Sequence, residues 1–182
     1  LQNYKSHDLM SKSRNNRIKQ SKPMKIGVIS DTHLSAYTDE FAKIIDTYLS
    51  HVDMIIHAGD IVDIKVVESL AKVKKVEAVC GNMDNPEIRY ALPSQLILEL
   101  GDFKVGVIHG SGRPYGIEER IMTLFDMVDC IVYGHTHTPK NEIYEGILFF
   151  NPGSPTDHYA KENTVGILEI DKEIKGKIIR VK

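Results

Sequence analysis

The chain is short of several things, and each shortage removes a class of protein. It holds two cysteines, Cys80 and Cys130, with no C-x-x-C pairing, so neither a disulfide framework nor a thiolate metal site is indicated. No apolar run approaches the roughly 18 residues of a membrane span. The N-terminus lacks the apolar stretch of about 7 to 15 residues that a secretory signal requires. Charge imbalance is slight, with a formal net charge of -2 and a pI near 6.5, which gives no global field to argue for nucleic acid or an anionic membrane as the main partner. There is no internal repeat. What is present is 182 residues, 42% hydrophobic and 26% charged, sized for one domain with a substantial core. A reduced, soluble, cytoplasmic protein is expected, with both cysteines as small buried residues and with self-association left open.

The near-zero charge hides an asymmetry. Residues 1–23 hold six Lys or Arg against one acid, whereas 24–182 hold 17 basic and 24 acidic residues. With almost no apolar residues the N-terminal stretch cannot bury a face. It is expected to be a disordered basic tail or an added leader, with a basic arm for nucleic acid as the functional alternative, ahead of a single domain over 24–182.

Hydrophobic periodicity predicts strand 25–30, helix 39–50, strand 53–57, helix 63–73 and strand 76–80, a repeated βαβ pattern. The first helix carries Phe41, Ile44, Ile45, Tyr48 and Leu49 on one stripe, with Thr38 or Asp39 to cap it. Residues 95–100 and 103–108 read as a hairpin, 117–127 as a helix, and 129–133, 141–145, 147–151, 164–170 and 174–181 as strands. About ten strands exceed one small open sheet, so the expected fold is α/β: two packed mixed sheets flanked by helices, a four-layer α-β-β-α sandwich.

Five aliphatic runs stop abruptly at polar residues able to bind metal: Asp31-Thr-His33, Gly59-Asp60, Gly81-Asn82, His109-Gly110 and Gly134-His135-Thr-His137. Successive blocks are 29, 22, 27 and 26 residues apart, each about one β-to-β unit. Parallel strands joined by crossovers end on the same sheet edge, which draws these residues into one crevice. Glycine beside a ligand permits the tight turn and close backbone approach such an edge demands. Seven oxygen and imidazole ligands suffice for two metal ions sharing one carboxylate, an arrangement that clamps a phosphoryl group.

These blocks, in this order and spacing, resemble those of the calcineurin-like metallophosphoesterase superfamily. The compact size and the later Asn151-Pro-Gly-Ser154 are most similar to its small branch of YfcE-type phosphodiesterases. The resemblance spans 24–182. It implies that Asp31, His33, Asp60 and His137 hold one metal and Asp60, Asn82, His109 and His135 the other, with Asp60 bridging and with Asp60, Asn82 and His109 bearing on catalysis. The implied activity is phosphodiester hydrolysis by in-line attack of a metal-bound hydroxide on a small phosphorylated substrate. The absence of thiolates and the mix of oxygen and nitrogen ligands suit manganese, iron, zinc, nickel or cobalt without choosing among them; two divalent ions are expected, manganese first. Phosphomonoester hydrolysis is the second activity, and an inactive protein-binding scaffold like the retromer subunit of this fold is the alternative outside enzymology.

Met83 stands where many larger members of the superfamily carry a proton-donating histidine, and it cannot donate; good leaving groups are therefore favoured. Arg113 is a candidate phosphate contact and Asp84 a substrate or orienting carboxylate. His57 is considered for a role behind the ligands, and Asp63 reads as a helix cap.

Overall fold

The computed structural model describes residues 22–182. The expectation of a disordered tail over 1–23 falls, up to position 21, outside the described residues.

Among the described residues, ten strands form two five-stranded sheets. The first contains β1 (Met24–Ile29), β2 (Met54–His57), β3 (Lys75–Ala78), β9 (Thr164–Ile170) and β10 (Ile174–Arg180), in the order β10-β9-β1-β2-β3. The second contains β4 (Gln95–Leu100), β5 (Phe103–Ile108), β6 (Cys130–Val132), β7 (Lys140–Tyr144) and β8 (Ile147–Asn151), in the order β4-β5-β6-β8-β7. β1, β2 and β3 pair in parallel, as do β5, β6 and β8. Antiparallel strands flank each parallel trio on one or both sides.

The period-2 alternation of side chains sorts residues between layers. Ile26, Val28, Met54, Ile56, Val105, Val107, Val132, Phe150 and Leu168 face one another between the sheets. From the opposite face of the first sheet, Ile29, Ile55 and Ile167 pack on helices α1 (Asp39–Leu49) and α2 (Ile64–Ala71). Ile131, Tyr133 and Phe149 pack beneath α4 (Ile117–Met122) on the outside of the second sheet. Strands covered on both faces are apolar at nearly every position, which is why the sequence runs are continuous. The four-layer α/β sandwich is the observed fold.

Element ends follow local chemistry. Thr38 caps α1 by accepting from the Phe41 N–H at 3.2 Å, and Asp63 caps α2 by accepting from Lys65 at 2.8 Å. Two expectations need correction. Helix α3 (Pro86–Ala91) was not anticipated; Asn85 caps it and Pro86 opens it, a start signal obscured by its brevity. α4 stops at Met122 rather than continuing to 127, because Leu124 and Phe125 turn back onto the carbonyls three residues earlier and Met127 adopts a left-handed φ of 48°, which a helix cannot contain.

Candidate metal centre

The C-terminal ends of β1, β2 and β3 deliver Asp31, His33, Asp60 and Asn82 from one sheet, and those of β5 and β6 deliver His109, His135 and His137 from the other. Asp31, His33 and His137 offer ligand atoms that all lie within 4.8 Å of one another, as do Asp31, Asp60 and His109. Asp31 Oδ1 stands 3.3 Å from His137 Nε2 and 3.8 Å from His109 Nε2. Asp60 Oδ2 faces His109 Nε2 at 3.2 Å and His33 Nε2 at 3.8 Å. The two Nε2 atoms of His33 and His137 are 3.2 Å apart, a separation at which at most one can carry a proton.

Four of these five side chains, those of Asp31, Asp60, His109 and His137, are fixed from behind. His109 Nδ1 donates to the Ala58 carbonyl at 2.8 Å, leaving a buried Nε2 with no hydrogen-bond partner aimed at two carboxylates. His137 Nδ1 pairs with Asp157 Oδ2 at 2.6 Å, the carboxylate-behind-imidazole arrangement that orients metal-binding histidines. Asp31 accepts from the His135 N–H at 3.0 Å, and Asp60 from the Met83 N–H at 2.7 Å. Asn82 and His135 pair with each other, Oδ1 to Nδ1 at 2.8 Å, and His135 Nε2 lies 2.8 Å from the Gly112 carbonyl. Both ring nitrogens of His135 are thus engaged, so a cation there must replace one of these bonds.

Electrostatics match this crowding. The bond to Asp31 holds the pKa of His137 up to about 9, against the opposing effect of burial and with help from Asp157. Burial disfavours the charged form of both His109 and Asp60; the close approach of Asp60 to the imidazole and the attraction between the two outweigh it, raising the imidazole and lowering the carboxyl. Protons here do the charge-balancing that a divalent cation does when bound. An orphaned imidazole nitrogen, two buried carboxylates and convergent histidines fit such cations, and the absence of thiolate fits a first-row metal of intermediate hardness.

The backbone is shaped to the same end. Asp31, His33, Asp60, His135 and His137 all have φ between 47° and 69°, a left-handed conformation disfavoured by roughly 1 kcal/mol or more for residues with a Cβ. The loops that carry these residues also approach closely: a Cβ on Gly81 would lie 2.2 Å from Asp60 Oδ1, and one on Gly134 2.7 Å from Asp31 Oδ2.

Asp84 is buried, 3% exposed, and accepts from Ile61, Val62 and Gly81 N–H groups at 2.6 to 2.7 Å, tying the Asp60 loop to the Asn82 loop. Arg113 is exposed in the loop after β5. His57 is fully buried with Nε2 3.0 Å from Thr32 Oγ1, and burial pushes its pKa down to about 4; it braces the Asp31–His33 loop as a neutral ring. The turn at 151–154 does the same: Asn151 donates to the Gly134 carbonyl and Ser154 to that of Asp31. Asp157 escaped the sequence reading; its only signal is an acid three positions beyond that turn.

Residues 24–173 match the model of the calcineurin-like phosphoesterase superfamily domain. A probable metallophosphoesterase of Methanocaldococcus jannaschii is 40% identical over 162 residues, 87% of this chain and 82% of that protein. A phosphodiesterase of the same organism is 27% identical over 169 residues, 86% of this chain and 99% of the relative. Among solved structures, Vacuolar Protein Sorting 29 from Cryptosporidium parvum superposes with a TM-score of 0.67 at 19% identity, covering 88% of this chain and 98% of that one. Five blocks of Asp, His and Asn in order on one crevice, a family model matching residues 24–173 and a relative 40% identical over 87% of this chain lead to one conclusion: the chain belongs to the calcineurin-like phosphoesterase superfamily.

Proposed function

We propose that the protein is a binuclear metal-dependent phosphodiesterase of the cytoplasm, acting on a small phosphorylated substrate. One observation carries the reading: ligand atoms from Asp31, His33, Asp60, His109 and His137, drawn from two different sheets, converge within a few ångströms. Asp31, His33, Asp60 and His137 would hold one cation and Asp60, Asn82, His109 and His135 the other. Manganese is the first candidate, with nickel, zinc, iron or cobalt as alternatives. Such cations supply Lewis acidity, neutralisation of phosphoryl charge and acidification of water near neutral pH.

The chain's own residues position and select. Met83 fixes Asp60 through its N–H, Ala58 sets the ring nitrogen that His109 presents, and Asp157 orients His137. No proton donor occupies position 83, where an exposed thioether side chain stands, so esters with good leaving groups react best. Arg113 is proposed to meet substrate phosphate. For Asp84 the proposal narrows to holding ligand loops, since both its oxygens already accept backbone N–H groups.

Metal analysis together with hydrolysis of bis-p-nitrophenyl phosphate, with manganese and with chelator, tests the reading. Turnover that needs metal is expected. The likeness to Vacuolar Protein Sorting 29 favours a protein-binding scaffold as the second reading; metal-free protein with no turnover after reconstitution would select it.

A further inference from the structure

A groove of about 770 Å³ runs outward from the metal centre between α3 and α4, with Asn82 and His109 at its lining. Leu92, Ile108, Ile121 and Leu124 give it an apolar floor and lip, while Arg89 lines one wall and Arg120 the other. Both arginines spend their N–H groups on backbone carbonyls, Arg89 on those of Asn82 and Asp84, Arg120 on those of Ser111, Arg113, Tyr115 and Gly116. Neither is among the ion pairs of the described residues, whereas Arg180 pairs with Glu162. Carbonyl contacts orient a guanidinium without cancelling its charge, and an arginine stays protonated at any working pH. Three of the four arginines in 24–182 thus gather in or beside this groove, Arg113 lying two positions from the lining Ser111, although that stretch carries 24 acidic against 17 basic residues. Local positive potential over an apolar floor, in a cleft of ligand-binding size, describes a recognition site for a body both apolar and anionic.

Resting on the phosphodiesterase reading, we propose that this groove receives the ester group beyond the scissile phosphate. It selects phosphodiesters in which that group joins a ring-bearing apolar body to a further negative charge.

Three p-nitrophenyl esters hold the chemistry constant while varying that group: methyl p-nitrophenyl phosphate, p-nitrophenyl thymidine 5′-phosphate, and the latter with a 3′-phosphate. On manganese-loaded protein, kcat/KM is expected to rise at each step by about fivefold, mostly through KM, the scale of one partly exposed contact. Leu124, half exposed at the groove lip, is the place to alter charge without opening the core. Leu124→Asp should cancel the gain from the 3′-phosphate and Leu124→Lys enlarge it. Calorimetric titration of thymidine 3′,5′-bisphosphate, with and without manganese, should show weaker binding to Leu124→Asp in both states. Equal KM for all three esters, with the methyl ester turned over, overturns the groove assignment and leaves the phosphodiesterase standing. If no ester is hydrolysed, the phosphodiesterase reading fails instead and the titration decides: affinity unchanged by Leu124→Asp refutes the groove, and weakened affinity upholds it.

Discussion

At the scale of single residues, the centre is built from side chains whose backbones sit where side chains are unwelcome. Among the described residues, five of the eight non-glycine residues with positive φ are expected metal ligands. This gives a test free of catalysis. The His33 side chain is 32% exposed and its φ is 47°; Gly and Ala both give up its ring, so their difference reports the backbone. At an ordinary position Gly is less stable than Ala; here His33→Gly should be more stable than His33→Ala by about 1 kcal/mol in metal-free protein, because only Gly adopts the conformation without strain. Urea midpoints that put Ala above Gly would show the loop relaxing and the strain argument to be misplaced. Asp84 supplies the opposite case. Asp84→Asn turns a carboxylate that accepts three backbone N–H groups, two of them buried, into an amide with one oxygen, and should destabilise the metal-free protein by about 2 to 4 kcal/mol. A loss under about 0.5 kcal/mol would mean the two loops hold together without it. The convergence of Asp31, His33, Asp60, His109 and His137 was legible from their places at strand ends. Left-handed backbones at residues such as His33, and Asp157 behind His137, were not, since both depend on loops meeting in space.

At the scale of elements, the inner strands were readable because burial on both faces gives them uninterrupted aliphatic runs, and the turns because Gly101 and Gly146 mark them in left-handed conformation. Short helices were less readable. α4 has six residues, too few for a stripe to declare its end, and its attachment to the sheet is partly polar. Glu118 accepts from Tyr133 Oη at 2.6 Å and from Lys140 Nζ at 2.9 Å, joining α4 to β6 and β7. Burial alone would raise the Glu118 pKa, but these two bonds outweigh it and hold it below the ordinary carboxylate value. A carboxyl lowered in the folded state adds stability above its unfolded pKa and loses it as pH falls through the folded one. Glu118→Gln should therefore cost about 1 to 2 kcal/mol at pH 7, with the gap from wild type closing below about pH 4. Chemical denaturation at both pH values measures it. A gap that persists or widens in acid would assign the effect to packing instead of charge.

At the scale of the whole molecule, the candidate centre spans the seam between the sheets. Asp31, His33, Asp60 and Asn82 belong to the first sheet's edge and His109, His135 and His137 to the second's, so cations held there cross-link the two halves of the sandwich. Among the described residues, the apolar layer between the sheets is continuous and should keep metal-free protein folded. Metal then adds stability by mass action, about 2.7 kcal/mol at a hundredfold excess over Kd, or roughly 2 to 4 °C per kcal/mol for a chain of this length. Asp60 distinguishes shared from separate sites, because its carboxylate faces imidazoles from both groups, His33 at 3.8 Å and His109 at 3.2 Å. Asp60→Asn keeps the shape and removes the charge that two cations would share. It should empty both positions together, and with them the whole manganese-dependent rise in Tm. A variant that retains one equivalent of metal and about half the rise would show that the two positions fill independently, and that the carboxylate joining them is another one; among the described residues Asp31 lies in both groups.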